Sequence, residues 1–246
     1  MKSMEHEDDA HAEALLQQNS RRRAVLRLRR AQLIYVIALA AFLSLALFAH
    51  SYHYFVWDRA FSVAFQSWRV PGLFGLMRAV SFVGNGLTPW LLTIATVIAF
   101  LAFHHRSEAA GLILSAGGGE LMNFILKTII ARPRPTADLV RVYSQLKTQS
   151  FPSGHVTFYV CYFGFLFFVA YAMLKHRSLE RRLALTLTAL PVALVGLSRV
   201  YLGEHWPSDV IGAYLFGGLW LALALHLYRR WKERATFHQA ELEKQP

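Results

Sequence analysis

Hydrophobic positions in this chain fall in long runs, at residues 31–49, 87–103, 109–130, 155–174, 183–197 and 210–228. Each approaches the roughly 20 residues that carry a helix across a bilayer. Spanning strands of a barrel would alternate over about 10 residues instead. The expected fold class is therefore all-α: a polytopic membrane protein built as a six-transmembrane-helix bundle. Glycines recur inside the runs, as Gly117-Gly118-Gly119 and Gly212 with Gly217-Gly218, where they would let helices approach closely. Between the first two runs, Phe61, Phe65 and Trp68, then Phe74, Met77 and Val80, recur at helical spacing. That stretch, residues 51–86, predicts interfacial helices broken near Pro71-Gly72. Trp57, Trp68 and Trp90 fit an aromatic belt at the headgroups.

Polar ends frame the runs. Residues 1–30 read as a cytoplasmic N-terminal tail, loose and acidic over 1–20 and then basic at Arg21, Arg22, Arg23, Arg27, Arg29 and Arg30. Residues 31–230 form the membrane domain and 231–246 a cytoplasmic C-terminal tail. The first run exceeds a usual signal-peptide core and lacks a convincing cleavage site, which predicts a retained helix.

Composition agrees. The chain has 246 residues, 55% of them hydrophobic and 17% charged, with a mean hydropathy of +0.32. The net charge of +11 would suit nucleic acid, but the cations cluster beside apolar runs, where topology signals belong. No nucleic-acid partner is expected. With the N-terminus in the cytoplasm, Arg106, Lys175, Arg177, Arg181, Arg182, Arg229, Arg230, Lys232 and Arg234 all fall inside, as the positive-inside rule asks. Residues 51–86, 131–152 and 198–209 fall outside. Cys161 is the only cysteine, which excludes an intrachain disulfide and a cysteine metal site.

Three motifs lie on that outer face: Lys127-x6-Arg134-Pro135, Pro152-Ser153-Gly154-His155, and Ser198-Arg199-x5-His205-x3-Asp209. Lys127, Arg134 and Arg199 would be costly to leave unpaired near hydrocarbon, and a bound phosphate accounts for all of them. Pro133 and Pro135 should end the third span and turn Arg134 toward the pocket. Ser153 is a suitable N-cap for the fourth span, Gly154 permits close backbone approach, and free N–H groups at a helix start favour an anion. His205 and Asp209, four apart, can share one helix face. The carboxylate would set the imidazole tautomer and leave the other nitrogen to attack phosphorus, giving a phosphohistidine. His155 is the candidate general acid. No metal or cofactor is required, since cations and backbone donors can hold the phosphoryl oxygens. His104 and His105 are given no metal role.

These motifs closely resemble the type 2 phosphatidic acid phosphatase family, which shares its site with vanadium haloperoxidases and the glucose-6-phosphatase group. The resemblance covers about residues 127–209 by motif and 31–230 by helix layout. It implies a metal-independent six-helix membrane phosphatase in which Lys127, Arg134, Ser153, Gly154 and Arg199 bind phosphate, His155 is the acid, and His205 the nucleophile partnered by Asp209. The partners it implies are the bilayer and a lipid phosphate: phosphatidylglycerophosphate, phosphatidate, undecaprenyl diphosphate or lipid A phosphate. The setting implied is a bacterial inner membrane, with the site on the extracytoplasmic face. A lipid phosphotransferase using the same site, or a non-catalytic lipid-binding or transport protein, are the alternatives. Outside the motifs, Glu204 beside His205 either weakens phosphate binding, or raises the imidazole pKa, or faces solvent. Glu120, in the third span with Asn123, lines the pocket floor or pairs with a cation.

Overall fold

The structure is a computed structural model that describes residues 2–242, with side chains described from 22 to 234. It comprises two units, Met1–Ala41 and Phe42–Pro246. The first unit is the greater part of helix α1 (Lys2–Ser51). Its apolar side chains Leu33, Ile34, Val36 and Ile37 are exposed. Within the stretch 1–20, expected to be loose, residues 2–20 are backbone helix continuous with the first apolar run. The expected C-terminal tail is likewise helical to Leu242, and residues 243–246 lie outside the described residues.

The second unit carries α2 (Val56–Gln66), α3 (Leu73–Phe82), α4 (Thr88–Ala102), α5 (Arg106–Leu112), a π turn (Ile113–Gly117), α6 (Gly118–Ile130), α7 (Gly154–Met173), α8 (Leu179–Tyr201) and α9 (Pro207–Leu242). Among the described residues there is no strand. All six apolar runs are helical, but only five helices are long and apolar enough to cross a membrane: Arg22–Ser51, Arg106–Ile130, Gly154–Met173, Leu179–Tyr201 and Pro207–Arg234. With 15 residues, α4 is about 22 Å long, short of the roughly 30 Å hydrocarbon core.

Helix α7 is central, packing on both α8 and α9. It contributes Phe158, Tyr159, Tyr162 and Phe165 to a core completed by Leu112, Ala116, Val195 and Tyr228. Glycines seat the bulky partners. A Cβ on Gly119 would press on Cys161, one on Gly118 on Trp220, and one on Gly212 on the Phe151 ring. Against lipid, such close packing holds helices together where hydrophobic transfer cannot. The π turn interrupts the third span beside these glycines. There Trp220 Nε1 donates to Leu114 O at 3.0 Å and Ser115 Oγ to Cys161 O at 2.7 Å.

The segment between the first two runs is helical and breaks at Gly72 in a left-handed conformation, as its spacing predicts. The buried face of α2, however, is polar: Asp58, Ser62 and Gln66 turn inward while Trp57, Phe61 and Val63 are exposed. Gln66 braces the neighbouring elements, donating to Arg141 O at 2.8 Å and Tyr201 O at 3.0 Å.

Candidate active site

The motifs meet at one end of the bundle. Lys127 is in the last turn of α6, Arg199 near the end of α8, Ser153 before α7 and Asp209 in the first turn of α9. Helix α6 ends at Ile130, capped by Ala131 at φ 52°. Arg132 and Arg134 each precede a proline, which biases both toward extended backbone. Arg132 turns into the protein and Arg134 toward His205.

His205 is buried. It sits in the turn before α9, not on the helix face expected for it, while Pro207 takes the first helical position. Arg134 Nη1 lies 3.1 Å from His205 Nε2. A guanidinium can only donate, so Nε2 holds the lone pair and Nδ1 the proton. Behind the ring, Nδ1 is 3.4 Å from Ser150 Oγ and 3.5 Å from Asp209 Oδ2. Ser150 Oγ in turn donates to Asp209 Oδ2 at 2.5 Å. The expected direct bond between His205 and Asp209 is thus long by hydrogen-bond standards, and the Ser150 hydroxyl bridges it. Burial, then the charges of Arg134, Lys127 and Arg199, push the His205 pKa well below the usual imidazole value. The ring is neutral at pH 7. Burial also pulls Arg134 down to about 10, still leaving it charged at neutral pH.

Asp209 is held from the far side by a residue that falls at an unspecified position of the first motif. Arg132 Nη1 donates to Asp209 Oδ1 at 2.6 Å and to Ser208 Oγ at 2.7 Å, while Nη2 donates to Asp58 Oδ2 at 2.9 Å. Asp58 also accepts from Ser208 N at 2.8 Å. All four residues are buried. Asp58 is thus the residue of the inward polar face of α2 that joins this ion cluster. The polar spacing of Asp58, Ser62 and Gln66, every fourth residue, is the signal that could have revealed it.

The other expected residues surround this pair. Lys127 Nζ donates to Gln149 O at 2.7 Å and Ser150 O at 3.2 Å. Arg134 also binds Thr148 O at 2.7 Å and Glu204 O at 2.6 Å. Arg199 is buried, donates to Ser81 and pairs with Glu204. The Glu204 side chain is thus buried and ion-paired, which removes the solvent-facing alternative. His155 Nε2 donates to Asn85 Oδ1 at 2.9 Å. Gly84 leaves room for that ring, since a Cβ there would overlap it. Ser153 occupies the N-cap position, but its hydroxyl makes no cap bond and is buried without a partner. No protein group crowds Gly154, whose Cβ would come no nearer than 3.5 Å to Asn123. Glu120 makes no ion pair among the described residues, and its Oε1 is buried without a partner. Asn123 donates to Thr157 Oγ1 at 2.9 Å. Among the described residues, no group of three or more His, Cys, Asp or Glu converges as a metal site would.

Known proteins resemble this chain in sequence and fold. A Bacillus subtilis protein named phosphatidylglycerophosphatase B is 34% identical over 166 residues, covering 65% of this chain and 77% of that one. A lipid A 1-phosphatase of Rhizobium etli is 31% identical over 172 residues, covering 60% of this chain and 68% of its own. Among solved structures, a transmembrane PAP2-type phosphatidylglycerolphosphate phosphatase from Bacillus subtilis superposes with a TM-score of 0.67 at 27% identity, over 80% of this chain and 96% of that one. Aquifex aeolicus LpxE gives 0.53 at 25%, over 70% and 96%. The sequence profile of the PAP2 superfamily matches residues 108–233, a stretch that contains every motif residue, and the chain belongs to that superfamily.

Proposed function

We propose that this protein is an integral membrane lipid phosphatase that releases phosphate from a lipid phosphomonoester or diphosphate through a phosphohistidine. The observation that carries the proposal is the neutral, buried His205, with its Nε2 lone pair facing the cation Arg134 and its Nδ1 backed by Ser150 and Asp209. A substrate phosphate takes over Arg134 Nη1 and thereby frees Nε2. Nε2 then attacks phosphorus in line, and the bond to the leaving oxygen breaks as the N–P bond forms. Lys127, Arg134 and Arg199 neutralise the equatorial oxygens, helped by the N–H groups around Ser153 and Gly154 at the start of α7. His155 protonates the leaving oxygen and then takes a proton from the water that cleaves the N–P bond. Asp209 stabilises the imidazolium-like charge by its proximity and through the Ser150 hydroxyl that links it to Nδ1–H. No step needs a metal.

The names of the relatives support phosphatidylglycerophosphate and lipid A phosphate as substrates. Phosphatidate and undecaprenyl diphosphate carry the same reacting group. The distribution of cations supports cytoplasmic termini and an extracytoplasmic site in a bacterial inner membrane. A six-span layout requires α4 to cross despite its length, through local thinning of the bilayer. The domain limits proposed are 31–230 for the catalytic bundle, flanked by the two tails.

Phosphate release from a lipid panel with EDTA present tests this directly. The expected result is EDTA-resistant release, abolished in His205→Ala and reduced about 10²–10⁴-fold in His155→Ala. Labelled substrate should leave an acid-labile phosphoprotein. Release that requires an acceptor lipid would establish the phosphotransferase alternative, and lipid binding without turnover would establish a binding or transport protein.

A further inference from the structure

Beside the reacting residues lies a cavity of about 580 Å³ that the motifs do not account for, lined in part by Arg78, Ser81, Asn85, Tyr143 and Glu204. Its wall is the outer side of the site. Ser81 accepts from Arg199, Asn85 accepts from His155, and Glu204 pairs with Arg199. A group bound at Arg199 and His155 therefore extends into this space. Its volume suits a headgroup, within the roughly 300–1,000 Å³ of ordinary ligand sites.

Arg78 is the cation of this cavity. Its guanidinium lies 5.1 Å from the Tyr143 ring centroid and 5.8 Å from that of Phe74. The aromatic faces orient the plane and leave the N–H edges free. No acid pairs with Arg78 among the described residues. An oriented guanidinium with free N–H edges matches a phosphate oxygen pair. Arg78 and the cavity's residues on α3 lie outside the stretch matched by the superfamily profile.

On the phosphatase reading of the adjoining site, we infer that this cavity is a subsite for a second phosphate of the substrate headgroup, bound by Arg78. The substrate class is then a lipid with two phosphates in one headgroup, either joined directly as a diphosphate or separated by glycerol. A plain lipid monophosphate would leave Arg78 unused.

Two measurements test this in the full-length protein. In the first, Arg78→Met keeps the apolar stem against both rings and removes the charge, while Arg78→Lys keeps the charge. Arg78→Met should lower kcat/KM at least tenfold on the preferred two-phosphate lipid, and less than twofold on phosphatidate. Arg78→Lys should recover part of the loss. Undecaprenyl diphosphate and phosphatidylglycerophosphate, assayed side by side, identify the spacing. An equal loss on phosphatidate, or no loss on either two-phosphate lipid, overturns the inference. The second measurement is calorimetric binding of inorganic phosphate, methylenediphosphonate and propylenediphosphonate, which needs no turnover. One diphosphonate should bind at least tenfold tighter than phosphate, and Arg78→Met should erase only that advantage. Diphosphonates no tighter than phosphate overturn the subsite even where hydrolysis is confirmed. Absence of hydrolysis alongside that binding advantage would overturn the phosphatase reading and leave the subsite standing.

Discussion

The chemistry at the residue scale depends on who holds whom. Asp209 cannot settle against His205 by its own position, because 3.5 Å is too long for a firm bond. Arg132 and Ser150 grip it instead. Arg132 also neutralises Asp58, so removing it leaves two buried carboxylates uncompensated. Arg132→Met should destabilise the folded protein by about 3–5 kcal/mol, seen as a lower Tm in detergent or as failure to accumulate. The depressed pKa of His205 makes a second prediction. A histidine held neutral in the fold, but titrating near pH 6.5 when unfolded, contributes stability in full above pH 6.5. That contribution is lost as pH falls from there toward the folded pKa, at no more than about 1.4 kcal/mol per pH unit. His205→Asn should flatten the decline of Tm between pH 6.5 and 5; an unchanged slope would show that the ring is charged in the fold.

Turns rather than helix interiors decide the outcome at the element scale. Gly203 takes φ 67°, and a Cβ there would collide with the Arg141 carbonyl oxygen. Its N–H bonds Val200 O, starting the turn that delivers Glu204 and His205. Gly203→Ala should therefore lower both Tm and kcat. Gly84→Ala presses first on the His155 ring, and a displacement of about 1 Å at a reacting group can cost about a hundredfold in rate. The expected signature is a large fall in kcat with Tm little changed, measured in the same preparation. The inverted face of α2 follows from the surroundings. Where the outer medium is apolar, Trp57 and Phe61 can face outward, and the polar side is free to bind Arg132 and Arg141.

The whole molecule separates its polar clusters. The motif residues gather where α6 and α8 end and α7 and α9 begin. Farther along α9, about 35 Å from Asp209 by helical rise, Lys232 and Tyr228 bind Glu108 of α5 at 2.5 and 2.8 Å. A bilayer would fit between two such ends. If the proposed orientation holds, a cysteine introduced at Lys147 should label with an impermeant maleimide in intact cells. One at Arg177 should label only after lysis. Cys161 is fully buried in α7 and provides a silent background. Labelling of Arg177→Cys in intact cells would invert the topology.

The sequence alone was enough to show the six helical runs, the membrane class, and the clustering of motifs at one end of the bundle. Hydrophobic run length and motif spacing are local properties, and alternation of spans carries them to the molecular scale. Only the tertiary structure revealed Arg132 and Asp58, 74 positions apart, or the Ser150 bridge, or the place of Glu204 on Arg199. Nor does local pattern tell which face of α2 turns inward, because an amphipathic stripe reads the same whether its polar side meets water or a buried arginine. Periodicity records which residues share a face. What that face meets is set by the neighbours that folding brings to it.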